Sequence, residues 1–374
     1  MQWSQYKFNF ADFKNQSLPG EIILRKPESN ITKSNLIIHI PLSPAKTTEV
    51  YDSYWKFAAV RQEVFFNRVE NRPFPWSADP ILNQYKFTNA YRAADRVSQY
   101  LIKEVIYNKE LPNSPKEILF RIFLFKLFNK IETWELLKKH FGPLTIDNYS
   151  FQHFDRVLHQ TIASGRRIYS AAYIMPSGQS RFGFERKHSN HLKLIELIME
   201  KETDERLMEA KTMQKAFEIL KEFPGFGDFL AYQLLIDINY SPILDFSESE
   251  FVVPGPGAKG GISKCFAHTA GLSYVEIIKL VTDRQETEFE RLGLSFKSLW
   301  GRRLQLIDCQ NLFCEVDKYA RVKHPDIKGD SGRVKIKQMF KPNFSDIDFW
   351  FPPKWDINGK IIKMQDVDNL KTIF

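Results

Sequence analysis

The chain has 374 residues, a formal net charge of +8 and a pI near 9.1. Its 43% apolar and 26% charged content is typical of a globular protein and argues against disordered or fibrous classes. No apolar run reaches the roughly 18 residues that span a membrane, and no signal peptide is recognisable. We therefore expect a cytoplasmic protein, and its basic charge favours a polyanionic partner.

The elements were predicted in chain order from hydrophobic spacing. Residues 1–50 suggest an arm with a short β-like run at 36–40, and residues 51–325 suggest a helical domain. The last part, 326–374, suggests an irregular basic extension, since eight Lys or Arg fall between positions 318 and 341. Helical spacing recurs at 50–67, 91–107, 114–129, 132–141, 151–162, 190–201, 212–222, 274–291 and 300–320. The predicted fold class is mainly α.

The segment 223–229 is the most informative motif, because Pro224, Gly225 and Gly227 stand between two apolar helical runs. This pattern predicts a helix-hairpin-helix corner, in which glycines let a phosphate approach the backbone N–H groups at the second helix's N-terminus. Such contacts position a duplex without reading its sequence. An ordinary helix corner in an all-α core is the alternative.

A second motif lies at 87–96, where Asn89, Arg92 and Arg96 are spaced to share one helical face. That face could place an amide near a base edge and two guanidinium groups on flanking phosphates. An Arg–Asp network that fixes helix contacts is an equally good interpretation.

A third motif, at 253–262, has four glycines in seven residues, and this glycine content predicts a loop. Gly255 and Gly257 would let the backbone approach a ligand closely, and consecutive N–H groups could bind an anion with help from Lys259. It is not a nucleotide P-loop. A loop without a binding role is the alternative.

A fourth motif, at 308–321, places polar side chains on one helical stripe. The residues on this stripe are Asp308, Asn311, Glu315 and Lys318, and Tyr319 follows it. Buried polar groups must be paired, so the stripe predicts either a satisfied network or one wall of a pocket.

Three acids are the leading candidate catalytic residues. Asp245 follows the second helix of the predicted corner, Asp237 interrupts that helix's apolar run, and Glu250, with Glu248 two positions before it, comes shortly after. A buried acid is either paired or functional.

Metal and disulfide chemistry are not expected. His188 and His191 are spaced three residues apart but have no further ligands nearby in sequence. The three cysteines are too few for a disulfide framework and predict free buried thiols. No metal or other cofactor is predicted.

Five motifs in order give a resemblance that spans roughly residues 51–321. They begin at Pro75, Phe87, Phe223, Gly255 and Cys314, and read Pro-Trp-Ser-x-Asp, Phe-Thr-Asn-x-Tyr-Arg, Phe-Pro-Gly-Phe-Gly-Asp-Phe, Gly-Pro-Gly-Ala and Cys-Glu-x-x-Lys-Tyr. Together they resemble the alpha-glutamyl/putrescinyl thymine pyrophosphorylase group, which includes the helical domain found with 5-hydroxymethyluracil DNA kinases.

The resemblance implies a divergent helix-hairpin-helix DNA glycosylase-like fold and a partner DNA that carries modified pyrimidines. The expected function is a monofunctional DNA glycosylase that extrudes a 5-substituted pyrimidine, with a hypothetical role in anti-phage defence. Asp245 would support cleavage, with Asp237 and Glu250 in reserve. The sequence contains no P-loop, so a kinase domain is not expected within it. We expect a monomer.

Two other functions remain open at this point. One is a transferase or pyrophosphorylase that acts at the exocyclic C5 substituent of modified thymine and leaves the glycosidic bond intact. The other is a non-catalytic reader of modified DNA.

Overall fold

The structure is a computed structural model that describes residues 20–23, 37–40, 45–171, 175–329, 332–344 and 348–361. It is mainly helical, as predicted. The first half contains α1 (Glu49–Val69), α2 (Pro80–Gln84), α3 (Arg96–Tyr100), α4 (Pro115–Phe128), α5 (Ile131–Phe141), α6 (Phe151–Ala163) and α7 (Gln179–Phe182).

The second half continues with α8 (Lys187–Glu200), α9 (Thr203–Glu209), α10 (Met213–Lys221), α11 (Asp228–Asn239), α12 (Pro256–Cys265), α13 (Tyr274–Asp283), α14 (Gln285–Arg291) and α15 (Leu306–Lys323). Single turns of 3₁₀-helix occupy Arg92–Ala94 and Pro353–Trp355, and a π-helical turn covers Leu101–Ile106.

The strands are few and short in the described residues. Strand β1 (Gly20–Ile23) pairs antiparallel with β2 (Ile37–Ile40), which confirms the β-like run predicted at 36–40. Strand β3 (Lys46–Thr47) pairs with β4 (Phe266–His268), just before α1 begins. The rest of the predicted N-terminal arm lies largely outside the described residues.

Helix α4 crosses the middle of the core. Every residue from Ile118 to Phe128 is buried, as expected for a helix that is apolar on all sides. Two cations lie in this run: Arg121 donates to the carbonyls of Val105 and Pro112, and Lys126 points into a polar centre described below. Helix α4 therefore carries charge into the interior.

Helix α12 packs closely along α15, and the prediction of an irregular loop over 253–262 is wrong from Pro256 onward. The glycines act as spacers between helices: a Cβ on Gly261 would lie 2.0 Å from the carbonyl oxygen of Phe313, and one on Gly257 would lie 3.0 Å from the sulfur of Cys314. Glycine weakens a helix by only about 1 kcal/mol, and close packing of α12 on α15 offsets that.

The corner between α10 and α11 has the predicted local geometry. Helix α10 ends at Lys221, Gly225 takes a left-handed φ of +84°, and Gly227 caps the N-terminus of α11. Phe223 and Phe226 are buried beneath the turn, whereas both glycines are exposed. The corner thus presents backbone at the surface and anchors itself with aromatic rings.

Candidate functional site

A buried ion-pair network lies between α4, α11 and the 3₁₀ turn at Arg92. The Arg92 guanidinium is 2.7 Å from one oxygen of Asp237, and the ammonium of Lys126 is 3.1 Å from the other. All three side chains are buried. Asp237 points inward because α11 is apolar on nearly every side beyond its first turn, where the exposed Asp228 lies.

Further hydrogen bonds satisfy the Arg92 guanidinium. Its Nε donates to the side-chain oxygen of Gln233 at 3.0 Å, and Nη1 also donates to the Tyr240 hydroxyl at 3.1 Å. Burial alone would raise the pKa of Asp237, but Arg92 and Lys126 more than offset it, and the pKa lies below its usual range. Asp237 is therefore an ionised structural partner.

Asp308 stands at the N-terminus of α15 beside this network. Its carboxyl accepts the backbone N–H of Arg92 at 2.8 Å and that of Gln305 at 3.0 Å. Burial, helped by the nearby charge of Glu248, raises the pKa of Asp308 to about 7, although the backbone hydrogen bonds from Gln305 and Arg92 oppose the shift. Asp308 can thus exchange a proton near neutral pH.

Glu248 and Arg302 complete what we call the charged centre: Arg92, Lys126, Asp237, Glu248, Arg302 and Asp308. Arg302 lies 3.0 Å from the buried carboxyl of Glu248, whose pKa is raised by burial although Arg302 opposes the shift. When Asp308 is protonated, the centre holds three cations and two carboxylates. It therefore has an excess of positive charge that can stabilise an added anion.

The segment 349–361 covers the outer side of the charged centre. The Trp355 ring lies over the Arg302 guanidinium at 3.8 Å and meets the ring of Tyr240 edge-on. Lys354 donates to the carbonyls of Ser241 and Leu244. The Arg302 side chain is 19% exposed, but a substrate would reach the buried Arg92, Lys126 and Asp237 only if this cover moved.

The predicted face of Asn89, Arg92 and Arg96 does not exist, because residues 86–91 are not helical. Asn89 donates to the carbonyl of Ala94, and Arg96 is exposed. Arg92 alone points into the interior, where it forms the Arg–Asp network that was the alternative interpretation. The error came from counting a helical period through a segment held by tertiary contacts.

The stripe on α15 is a satisfied network. Glu315 accepts the backbone N–H of Thr88 at 3.0 Å and pairs with Lys318 at 2.6 Å. The Tyr319 hydroxyl donates to Asp79 at 2.7 Å. These side chains fix the segment 79–88 against α15.

The other predicted site residues lie apart from one another. Gly255 is buried against the Phe229 ring and Gly257 against Cys314, so neither forms an open anion nest. Lys259 is exposed, 5.7 Å from the Tyr274 ring.

The three candidate acids also separate. The Asp245 side chain is 87% exposed and lies 3.7 Å from the Lys354 ammonium at the edge of the cover. Glu250 is exposed, and Asp237 is buried.

Sequence reasoning missed Lys126, Gln233 and Arg302. Lys126 had a detectable signal, since it breaks the richest apolar run of the chain. Gln233 and Arg302 had none, because their partners are distant in sequence.

Cys265 and Cys309 are buried free thiols, and Cys314 is a half-buried free thiol. Across the described residues, no group of three or more His, Cys, Asp or Glu side chains could hold a metal ion. Within the same residues, no helix is both long and apolar enough to cross a membrane.

Comparison with known proteins now defines the class: a mainly helical protein with a charged interior matches a family model described as "5-hmdU DNA kinase, helical domain" over residues 48–329. The chain belongs to this family. A relative from Bacillus phage SP10, named 5-hmdU DNA kinase, is 27% identical over 312 residues, which cover 79% of this chain and 48% of the relative. The chain thus matches about half the length of that relative. No solved structure matches.

These matches overturn the predicted glycosylase. The family is named for a kinase, which transfers a phosphoryl group and does not hydrolyse a glycosidic bond. The hydrolase prediction was wrong because a glycine-rich helical corner serves many DNA-binding proteins and does not identify a reaction. The exocyclic transferase, which was the alternative, fits the matches better.

Proposed function

We propose that the chain acts on DNA carrying a 5-substituted pyrimidine, as a transferase at the exocyclic C5 substituent that leaves the glycosidic bond intact. The match of residues 48–329 to the helical domain of 5-hmdU DNA kinase carries this proposal. The name of the phage relative supports 5-hydroxymethyldeoxyuridine in DNA as the substrate class.

The corner between α10 and α11 is the proposed phosphate contact, in a helix-hairpin-helix arrangement related to that of DNA glycosylases. Exposed Gly225 and Gly227 leave the N–H groups at the start of α11 open to a phosphate oxygen. Asp228 would repel a phosphate there, but Lys221 pairs with it and offsets its charge.

The charged centre is the proposed site for group transfer. Transfer to or from an exocyclic oxygen develops negative charge on the moving group, and preorganised cations lower the energy of that state. Arg92, Lys126 and Arg302 supply the cations, and Asp308 supplies a carboxyl that exchanges its proton near neutral pH. The segment 349–361 would have to move aside for the reaction.

A non-catalytic reader is the second candidate, and the closed cover over the charged centre is the observation that favours it. A centre largely covered by Trp355 and Lys354 can hold the fold together without binding a substrate.

Product analysis separates these functions. The protein is incubated with a duplex containing 5-hydroxymethyldeoxyuridine, with and without a nucleoside triphosphate and Mg²⁺. The DNA is then digested to nucleosides, and their masses are measured by mass spectrometry. An altered nucleoside with its sugar attached supports the transferase. Unchanged DNA despite tight stoichiometric binding supports the reader. A duplex with thymine at the same position is the matched control, and alteration of both duplexes alike would count against recognition of the substituent.

A further inference from the structure

The segment 332–344 is positively charged along its length and contains no acid. Its cationic side chains are all exposed, and they are Arg333, Lys335, Lys337 and Lys341. Among the described residues, no carboxylate forms an ion pair with any of the three lysines. Their charge therefore has no local compensation, which favours a polyanionic partner.

A backbone pairing holds this segment against residues 84–86. Phe340 N–H donates to the Gln84 carbonyl at 2.9 Å, and Lys86 N–H donates to the Gln338 carbonyl at 3.0 Å. Side chains alternate between the two faces of such a pairing. The Phe340 side chain is half-buried, whereas the lysines at the odd-numbered positions are exposed. The pairing therefore fixes the lysines in a row on the outer face.

Two exposed phenylalanine rings lie at the end of this segment. Phe74 is 43% exposed and Phe344 is 69% exposed. Both rings pack against the buried ring of Trp76, with centroids 5.4 Å and 5.7 Å away. The Arg68 guanidinium lies 5.1 Å from the centre of the Trp76 ring and donates to the Asn343 carbonyl at 3.1 Å. The exposed rings therefore have a fixed support and need little further ordering to bind a flat ligand.

Ring contacts connect these phenylalanines to the cover over the charged centre. Phe65, one helical turn before Arg68 on α1, packs on Phe349 at 4.8 Å, where the cover begins. Further along the cover, Trp355 lies over the Arg302 guanidinium. The exposed rings are therefore adjacent to the cover. A DNA strand bound on them can extend to the charged centre once the cover moves.

The combination of lysines and exposed rings favours unpaired DNA as the partner. Lysines alone would suit any polyanion. In a duplex the bases stack on one another, and a phenylalanine ring finds no free base face. In a single strand the bases can stack on the rings whatever the sequence, while the lysines contact the backbone. A reaction on an extruded base opens the duplex and creates such unpaired nucleotides.

We propose that this part of the molecule, which we call the strand surface, binds the unpaired DNA strand that flanks the reacting nucleotide. Bases stack on Phe74 and Phe344, and phosphates pair with Lys335, Lys337 and Lys341. The choice of DNA rests on the proposed function. The strand surface holds neighbouring nucleotides and leaves the 5-substituted base free to enter the charged centre.

Fluorescence anisotropy with a plain single-stranded thymidine oligonucleotide tests the strand surface without requiring transfer. Phe344→Ala should weaken binding by about tenfold, from the loss of one stacked base. The slope of log affinity against log salt should stay the same, because the phosphate contacts remain. Phe184→Ala is the matched control at another exposed phenylalanine, 37% exposed, and should bind like the wild type.

Lys337→Gln tests the lysines of the strand surface. Loss of one phosphate contact should reduce the salt slope by about 0.7 on a single strand. Lys279→Gln, the matched control at an exposed lysine of α13, should keep the slope. Melting curves by circular dichroism should be unchanged in Phe344→Ala and Lys337→Gln, because both side chains are exposed. A loss of folding would not separate affinity from salt slope in this way.

Wild-type affinity in Phe344→Ala, or an equal loss in Phe184→Ala, would overturn the strand surface. Polyglutamate that bound as tightly as the oligonucleotide, and lost affinity equally in Phe344→Ala, would overturn it too and identify an acidic protein segment as the partner.

Product analysis distinguishes failure of the strand surface from failure of the proposed function. If Phe344→Ala lost single-strand affinity but the wild type altered no nucleoside, the strand surface would stand and the transferase would fall. Altered nucleosides, together with single-strand binding that needs neither Phe344 nor Lys337, would do the reverse.

Discussion

Asp237 is the residue on which the charged centre depends. It is fully buried and separates two cations that would otherwise face each other without compensation. The sequence identified this acid as paired or functional because it interrupts an apolar run. Its partners could not be predicted, since Arg92 is 145 positions away and Lys126 lies on another helix.

Asp237→Asn should destabilise the protein by about 3–5 kcal/mol, because removing one partner of a buried pair leaves unpaired buried charge. Urea unfolding measures this change. Asp245→Asn is the matched control: its side chain is 87% exposed, so the expected change is below about 0.5 kcal/mol. Equal effects of the two substitutions would mean that the centre is not the closed ion-pair network described above.

Asp308 should make stability depend on pH. Burial raises its pKa from 3.8 to about 7, so between these values the folded state binds a proton that the unfolded state has released. Its contribution to stability is fully present below about pH 4 and is lost as pH rises to about 7. Unfolding free energies of wild type and Asp308→Asn, measured from pH 4.5 to 8, check this.

The free energy of unfolding of the wild type should fall relative to that of Asp308→Asn as pH rises to about 7. Above that pH the difference between the two proteins should stay constant. Asp95 and Glu248, whose pKa values burial also raises, remain in both proteins. Their contributions therefore cancel in the difference in unfolding free energy between the two proteins, provided that the substitution leaves their surroundings unchanged. A difference that is constant with pH would show that Asp308 is ionised throughout.

At the scale of elements, hydrophobic spacing predicted most of the long helices, including α1, α4, α6 and α15. It failed at α12, where four glycines suggested a loop. The physical reason is tertiary: Gly261 and Gly257 let α12 approach α15, and such contacts between distant segments leave no periodic signal. It also failed at 87–95, which α15 holds through Glu315 and Asp308 rather than through helical hydrogen bonds.

The corner between α10 and α11 gives a prediction at this scale. Gly227 has an ordinary φ, and a Cβ there would meet nothing within 4 Å. Gly227→Ala should therefore fold normally, at a cost below about 1 kcal/mol from the poorer N-cap. Its methyl group should nevertheless keep a phosphate from the N–H groups of α11. Duplex affinity should fall about three- to tenfold, equivalent to roughly one hydrogen bond.

Gly359→Ala is the matched control, because a Cβ at Gly359 also meets open space, in the cover segment. Fluorescence anisotropy with a plain duplex measures both variants. If Gly227→Ala bound as tightly as Gly359→Ala, the corner would be an ordinary helix junction, which was the alternative interpretation of its sequence.

For the whole molecule, the sequence predicted a mainly helical fold and a likeness to the helical domain of 5-hydroxymethyluracil DNA kinases correctly, but not the reaction. The glycosylase-like subgroup and the pyrophosphorylase group stay predictions. The resemblance rested on five short motifs of this sequence. Several of them form the packing contacts between α12, α15 and the Thr88 segment, so they do not by themselves identify a reaction. The division at residues 50 and 325 stays a prediction. Residues 332–344 and 348–361 are nevertheless attached to the helical body, through Gln84, Lys86 and Ser241.

The net charge of +8 gives the last prediction. If phosphates contact the α10–α11 corner and the exposed lysines at 335, 337 and 341, affinity for any DNA should fall steeply with salt, because each neutralised phosphate releases counterions. Recognition of the 5-substituted base by contacts within a cleft releases none. Affinities for 5-hydroxymethyldeoxyuridine and thymine duplexes should therefore decline with the same logarithmic slope between 50 and 200 mM salt, while their ratio stays constant. A ratio that collapsed towards one with rising salt would mean that the apparent preference is electrostatic and that the base itself is not recognised.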